Sequence, residues 1–408
     1  MKLGLENIRK LLQSLGDPQT DYFKVQVAGT NGKGSVCAFL NAICISAGVR
    51  VGMFTSPHLI SITERVQIDG VPISEDEFAK YATKVRSAAE NLVANGTLES
   101  IPTFFEQITA IALSAFSDLN VELAILETGL GGRLDATSVA NAEIAVITRI
   151  DYDHQEYLGE TIEDIASEKA AIIHKGSKVV IGDQRPEARK VILDRVRALD
   201  VEYVKAERIR TTCGSGWLKF ETEDSDYELV SLGLRGRHQI ENAKTALVSA
   251  EVLSEFLPIT RESIVEGLET ASHPGRLESI GRYLLDGAHN PGGAKALRAY
   301  LDEKIDRPIT LVFGAMRDKD IDSIAKEIFP KAAAIVLTEP SNLRAAKTSE
   351  IVSRMPTAIG ATIYETHSVD AALRKAKEVS TEDTIILVTG SLYLVGEAMQ
   401  ILRNRGWI

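Results

Sequence analysis

FKVQVAGTNGKGS, residues 23–35, decides the fold. Residues 23–28 read as a strand. Residues 35–47 read as a helix, closed by Gly48 where helices favour glycine. Between them, Gly29-Thr30-Asn31-Gly32-Lys33-Gly34 joins strand to helix. Its glycines let the backbone curl so that successive N–H groups point at a phosphate, and the helix N-terminus adds its positive end. Lys33 can reach the β- and γ-phosphates, and Ser35 can bond a phosphate or a metal-bound water. The spacing GxxGKGS is shorter than the commonest GxxxxGK[ST]. The plain alternative is a glycine-rich turn with a solvated lysine, and the strand before and helix after favour the phosphate loop.

Working outward, short apolar runs alternate with helical patterns. Strands are expected at 51–54, 121–126, 143–150 and 178–182, and helices at 101–116 and 161–173. This alternation predicts a mostly parallel α/β sheet. Residues 201–234 break the rhythm with two-residue alternation in WLKFET and YELVSL, which predicts a small antiparallel excursion. A helical pattern resumes at 239–256. Alternation restarts after Ser272-His273-Pro274-Gly275-Arg276, with strands expected at 281–285, 309–313, 334–338, 361–364 and 384–388. The expected domains are 1–272 and 273–408, with the Pro-Gly pair as a hinge.

The chain has 408 residues, 44% hydrophobic and 25% charged, ordinary for a globular protein, with room for more than one core. A net charge of −11 argues against nucleic acid or an anionic membrane as the main partner. Three cysteines, Cys37, Cys44 and Cys213, form no CxxC pair and suggest neither a disulfide framework nor a zinc site. Residues 1–16 read as an amphipathic helix without an apolar signal core, and no run reaches the ~18 apolar residues of a membrane span. A soluble cytoplasmic protein is expected, and a monomer, since no motif demands a dimer.

Three strand ends carry unusual polar residues: Thr55-Ser56-Pro57-His58, Glu127-Thr128-Gly129 through Asp135, and Asp151-Tyr152-Asp153-His154. In an open parallel sheet, ligands bind at the carboxyl ends of strands, so these ends should converge with the phosphate loop. A hydroxyl, a carboxylate and an imidazole beside a nucleotide suggest a Mg²⁺ site, since that ion favours oxygen ligands. Glu127 could instead cap a helix or pair with Arg133, His154 could be a turn residue, and Ser56 ordinary turn chemistry.

GTNGKGS, SPHL…ERVQIDG, TFFEQ, ETGLGGRLDATS, DHQEYLG, SEKAAII, HPGRLE, LDGAHNP and FGAMRDKD occur in that order. Together they resemble the folylpolyglutamate synthase/dihydrofolate synthase family of the Mur ligase superfamily. The resemblance runs from GLENIRKLLQSLG near residue 4 to TGSLYLVGE near residue 390. It implies a P-loop domain like the Mur ligase central domain, followed by a smaller Rossmann-like α/β domain.

The resemblance also implies roles. Thr30, Asn31, Gly32, Lys33, Gly34 and Ser35 would hold the ATP phosphates, and Asn242, Arg276 and Asp286 would contact ATP. Ser56, Glu127 and His154 would hold Mg²⁺, with Lys169 matching a lysine that becomes a carbamate metal ligand. Thr103, Phe104, Phe105 and Glu106, with Leu134, Asp135 and Ala136, would line the pterin or folate side. His289 would lie near the phosphate or the incoming amino acid. Lys33, His154, Lys169, Asp286 and His289 are the expected catalytic set. Gln107, Ser138, Tyr152 and Ala171 depart from the family pattern.

The chemistry so implied is ligation. A carboxylate is unreactive toward an amine at neutral pH; phosphorylation by ATP gives an acyl phosphate, which the amino group of glutamate attacks. Such transfer needs positioning and charge neutralisation. The partners expected are small molecules: ATP, L-glutamate, and folate or dihydropteroate. A Mur-type ligase for another carboxylate and a P-loop regulatory ATPase are the alternatives. A switch would show no turnover stimulated by glutamate.

Overall fold

The computed structural model describes residues 4–214, 217–223, 225–229, 231–355 and 360–407. The chain forms two compact units. One comprises Met1–Gly233 with Gln239–Ser272, the other Leu234–His238 with His273–Ile408.

The first unit is built on an eight-stranded sheet. Its strands are β1 (Phe23–Ala28), β2 (Val51–Phe54), β3 (Val66–Ile68), β4 (Val71–Pro72), β5 (Leu123–Glu127), β6 (Ile144–Ile147), β7 (Lys178–Ile181) and β8 (Tyr203–Lys205). The order is β4-β3-β2-β5-β1-β6-β7-β8. β1 pairs in parallel with β5 on one side and β6 on the other. β1 leads to β2 on the β5 side and β6 leads to β7 on the other, so their connections diverge and open a crevice at the carboxyl ends of these strands. All five residues of β5 and all four of β6 are buried, as a parallel strand covered on both faces requires.

Helices Glu6–Ser14, Glu75–Ala94 and Phe104–Asp118 supply Leu11, Tyr81, Val85, Ile108 and Phe116 to one core, against Phe54 and Leu126. Helices Ile162–Ala170 and Pro186–Leu199 supply Ile165, Ala166, Ile192 and Val196 to another, against Ala28 and Ile147.

The expected antiparallel excursion starts later than the sequence suggests. β8 pairs in parallel with β7 and belongs to the main sheet. Only β9 (Arg210–Gly214), β10 (Trp217–Glu221) and β11 (Asp226–Leu229) form the antiparallel sheet. Val230, inside the YELVSL run, lies outside the described residues. The helix expected at 101–116 begins at Phe104, because Thr103 and Glu106 form a capping box. β6 stops at Ile147, three residues short of the expected 143–150.

The second unit holds a six-stranded sheet of β12 (Glu278–Ile280), β13 (Tyr283–Asp286), β14 (Ile309–Phe313), β15 (Ala334–Leu337), β16 (Thr362–Glu365) and β17 (Ile385–Thr389). The order is β12-β13-β17-β14-β15-β16, parallel except for the β12–β13 hairpin, a strand the sequence did not suggest. Leu297, Leu311, Phe313, Phe329, Ile335 and Leu387 lie in its core.

Candidate active site

In the first unit the phosphate loop is drawn tight. Gly29 has φ +154° and Gly32 φ +90°. A Cβ on Gly29 would fall 1.9 Å from Thr148 Oγ1, and one on Gly32 would fall 2.2 Å from Asn242 Oδ1. Thr30 and Asn31 donate their N–H groups to Arg149 O at 2.9 and 3.1 Å. The helix starts at Lys33, two residues before the expected 35. Ser35 is buried and accepts from Gln239 Nε2 at 3.2 Å. Asn242 and Gln239, on the helix His238–Leu253, thus both sit on the loop.

Lys33 is half-buried. Its Nζ donates to Gly29 O at 3.1 Å and Thr30 O at 3.3 Å. Lys169, 5% exposed at the end of the helix Ile162–Ala170, donates to the same Gly29 O at 2.9 Å. Burial, with Lys33 beside it, lowers the Lys169 pKa to about 7, against the pull of Asp153 and Asp135. A large fraction is then neutral amine near pH 7, the form that adds CO₂.

Glu127, at the end of β5, accepts from Ser56 N at 3.0 Å, so these two expected metal ligands meet. Arg133 Nε bonds Glu168 Oε1 at 2.8 Å. His154 has φ +52°, and its Nε2 lies 3.8 Å from Asp153 Oδ1. Among the described residues, no three His, Cys, Asp or Glu side chains form a metal-binding group. The expected set draws only Glu127 and His154 from those types. Lys169 as an ammonium beside Lys33 would repel a cation, whereas its carbamate would supply two oxygens to a hard ion.

The expected substrate segments are held by their own hydrogen bonds. Thr103 N donates to Glu106 Oε2 at 2.7 Å, and Glu106 N to Thr103 Oγ1 at 3.3 Å. Asp135 accepts from Gly129 N, Leu130 N and Thr137 N at 2.9, 2.9 and 3.0 Å, and from Thr137 Oγ1 at 2.5 Å. Burial raises its pKa against those hydrogen bonds. Leu134 is half-buried and Ala136 buried. Phe105 packs where a Cβ on Gly129 would meet it at 2.5 Å. Phe104 is 57% exposed, with the Arg65 guanidinium 5.6 Å from its ring centre.

Two residues that depart from the family pattern have structural partners. Gln107 Nε2 donates to Pro102 O at 2.7 Å, and Ser138 Oγ donates to Gly132 O at 2.7 Å while accepting from Gln26 Nε2 at 2.9 Å. Arg65 and His58 had no assigned role, yet Arg65 Nε donates to His58 Nδ1 at 2.9 Å. His58 was signalled by its place in the polar strand end Thr55-Ser56-Pro57-His58, and Arg65 by its place in ERVQIDG.

In the second unit, Asp286 ends β13 and is 8% exposed. It accepts from Leu277 N and Ala288 N, each at 2.9 Å. Burial raises its pKa, and Arg276, first among the opposing influences, lowers it. His289 Nδ1 lies 2.8 Å from Gly287 O, which can only accept, so Nδ1 carries the proton. Arg276, Asp286 and His289 are therefore gathered at one end of this sheet. Among described residues other than glycine, asparagine and aspartate, only His154 and Leu277 have positive φ.

Residues 27–250 match the Mur ligase middle domain, and residues 275–392 the Mur ligase glutamate ligase domain. A dihydrofolate synthase/folylpolyglutamate synthase of Bacillus subtilis (strain 168) is 33% identical over 99% of this chain and 96% of its own. A Mycobacterium tuberculosis folylpolyglutamate synthase, solved with ADP and AMPPCP, superposes with a TM-score of 0.91 at 32% identity, over 98% of this chain and 95% of its own. A bifunctional folylpolyglutamate synthase/dihydrofolate synthase of Yersinia pestis, solved with AMPPNP and a Mn ion, superposes at 0.87 with 30% identity, over 99% and 94%.

Proposed function

Since the chain belongs to the folylpolyglutamate synthase/dihydrofolate synthase family of Mur ligases, we propose that it joins L-glutamate to a folate or dihydropteroate carboxylate at the expense of ATP. The observation that carries this reading is the meeting of Lys33 and Lys169 on Gly29 O, at the mouth of a helix N-terminus. Incoming phosphates would draw Lys33 off the loop carbonyls and take the loop N–H groups as donors. Asn242 and Ser35 border the same loop and would help seat the nucleotide.

A divalent ion bound at Ser56, Glu127, His154 and carbamylated Lys169 would neutralise phosphate charge. Thr103 to Glu106 and Leu134 to Ala136 are assigned to the pterin-bearing substrate, with the Phe104 and Phe105 rings as its apolar wall. Asp135 acts there by holding the loop in shape. Arg276 and Asp286 are assigned to ATP, and His289 to the incoming amino acid. The domains remain 1–272, carrying the phosphate loop, and 273–408, carrying the Asp286 cluster, except that Leu234–His238 falls with the second unit. No helix among the described residues is long and apolar enough to cross a membrane. A monomer in the cytoplasm is the form we infer.

The test is phosphate release with ATP, Mg²⁺ and L-glutamate, comparing dihydropteroate, tetrahydrofolate and no pterin. Release that needs both glutamate and one of the pterins supports the ligase. Equal release in all three would leave an ATPase.

A further inference from the structure

β6 ends at Ile147 and β7 at Ile181, yet the residues after β6 remain in a hydrogen-bonded frame. Much of that frame is one side chain. Gln184 is 4% exposed. Its Oε1 accepts from Ile150 N at 3.0 Å, and its Nε2 donates to Thr148 O at 2.8 Å and Ile147 O at 3.3 Å. A carboxamide offers the acceptor and donor of a peptide unit, so Gln184 stands in for the next residues of a neighbouring strand.

The segment it holds in turn holds the phosphate loop. Arg149 O accepts both Thr30 N and Asn31 N. Thr148 Oγ1 donates to Asn31 O at 2.9 Å. Thr30 Oγ1 donates to Asp151 O at 2.9 Å and accepts from Asp151 N at 3.1 Å. Two ion pairs flank Gln184, Arg149 with Asp183 and Arg185 with Asp151. They run in opposite directions, so sliding one loop along the other brings like charges together. Partly exposed pairs of this kind contribute little energy, but they oppose a change of register. The Arg185 guanidinium also lies 5.5 Å from the centre of the Tyr152 ring, two residues before His154.

We propose that Gln184 is a positioning residue: it locks the exit of β6 so that the phosphate-loop amides of Thr30 and Asn31 and the turn bearing His154 keep one fixed frame. This rests on the nucleotide reading of the loop for its effect on turnover, but not for its effect on the frame.

The test uses the full chain with Gln184→Met, which keeps the shape and removes the hydrogen bonds, and Gln184→Glu, which keeps the acceptor and loses the donor. Amide hydrogen exchange is read without ligand, alongside steady-state kinetics. In Gln184→Met, peptides covering 29–34 and 148–154 should exchange about tenfold faster or more, the scale of one lost buried hydrogen bond, while β14 to β17 are unchanged. KM for ATP should rise severalfold with KM for glutamate unchanged, and Gln184→Glu should fall between. Wild-type exchange at 29–34 in Gln184→Met overturns the proposal. Uniform acceleration across the first unit, with both KM values altered together, also overturns it, since Gln184 would then be an ordinary core residue. Faster exchange confined to the two segments, with ATP kinetics unchanged, upholds the frame and sinks the nucleotide reading.

Discussion

Lys33 and Lys169 donate to one carbonyl oxygen, that of Gly29, at 3.1 and 2.9 Å. Two ammonium groups cannot share so small a space comfortably. Lys169, the more buried, gives way, with its pKa lowered to about 7. Lys169 is thereby primed as an amine beside the loop lysine.

The first consequence is chemical. Activity should depend on CO₂ or bicarbonate, and ¹³C-labelled CO₂ should give a carbamate resonance that disappears in Lys169→Ala. That variant should lose about 100-fold or more in turnover, as removal of a metal-fixing group does. Short carboxylic acids should restore part of it. A fully active Lys169→Ala would refute the carbamate.

The second is thermodynamic. In the unfolded chain Lys169 titrates near ~10.4, and in the fold near about 7. Below pH 7 it is protonated in both states, and the fold bears the cost of a buried ammonium. Between pH 7 and 10 the unfolded chain holds the extra proton, so this cost fades and stability rises with pH. Without CO₂, Lys169→Met should therefore raise the thermal midpoint at pH 6, and the gain should shrink toward pH 9.5. A gain independent of pH would contradict the lowered pKa.

Among the described residues, Lys33 bonds only carbonyls of its own loop. Lys33→Ala should cut ligation by roughly 100-fold or more, the scale of one lost electrostatic stabiliser. Differential scanning calorimetry should show a thermal midpoint within a few degrees of wild type. Near-normal turnover would remove the phosphate-loop assignment.

Asp286 bridges Leu277 N and Ala288 N. Leu277 is buried with φ +45°, a conformation that costs a bulky residue about 1–3 kcal/mol. Asp286→Ala removes both acceptors and should destabilise the second unit by about 2–4 kcal/mol in urea unfolding. It should also raise KM for ATP. An unaltered KM would withdraw Asp286 from the nucleotide.

Much of this was open to a reader of the sequence. Residues 23–28, 51–54 and 309–313 are strands with the expected bounds, because each is rich in apolar residues and is followed at once by a glycine or a threonine. The boundary errors have local causes. Thr103 pairs with Glu106 as a cap, so the apolar Ile101 precedes the helix. β8 is short and joins the large sheet by long-range pairing that no local pattern encodes. The polar strand ends were visible as motifs, but their division of labour was not. Gln107 and Ser138 depart from the family pattern, and in the fold both bond backbone carbonyls. Gln184 carries no motif, and its partners are backbone atoms more than thirty residues away.

The space that a methyl group would take at Gly29 is filled by the hydroxyl of Thr148, and at Gly32 by the carboxamide of Asn242. Each glycine thus leaves room that its neighbour's side chain occupies. Enlarging either partner alone creates a collision, and shrinking Thr148 or Asn242 alone leaves a gap beside the loop. Both glycines also hold a positive φ that a side chain strains whatever the space, so in a mutational library a smaller residue at 148 or 242 should not release Gly29 or Gly32; variation should be confined to their partners.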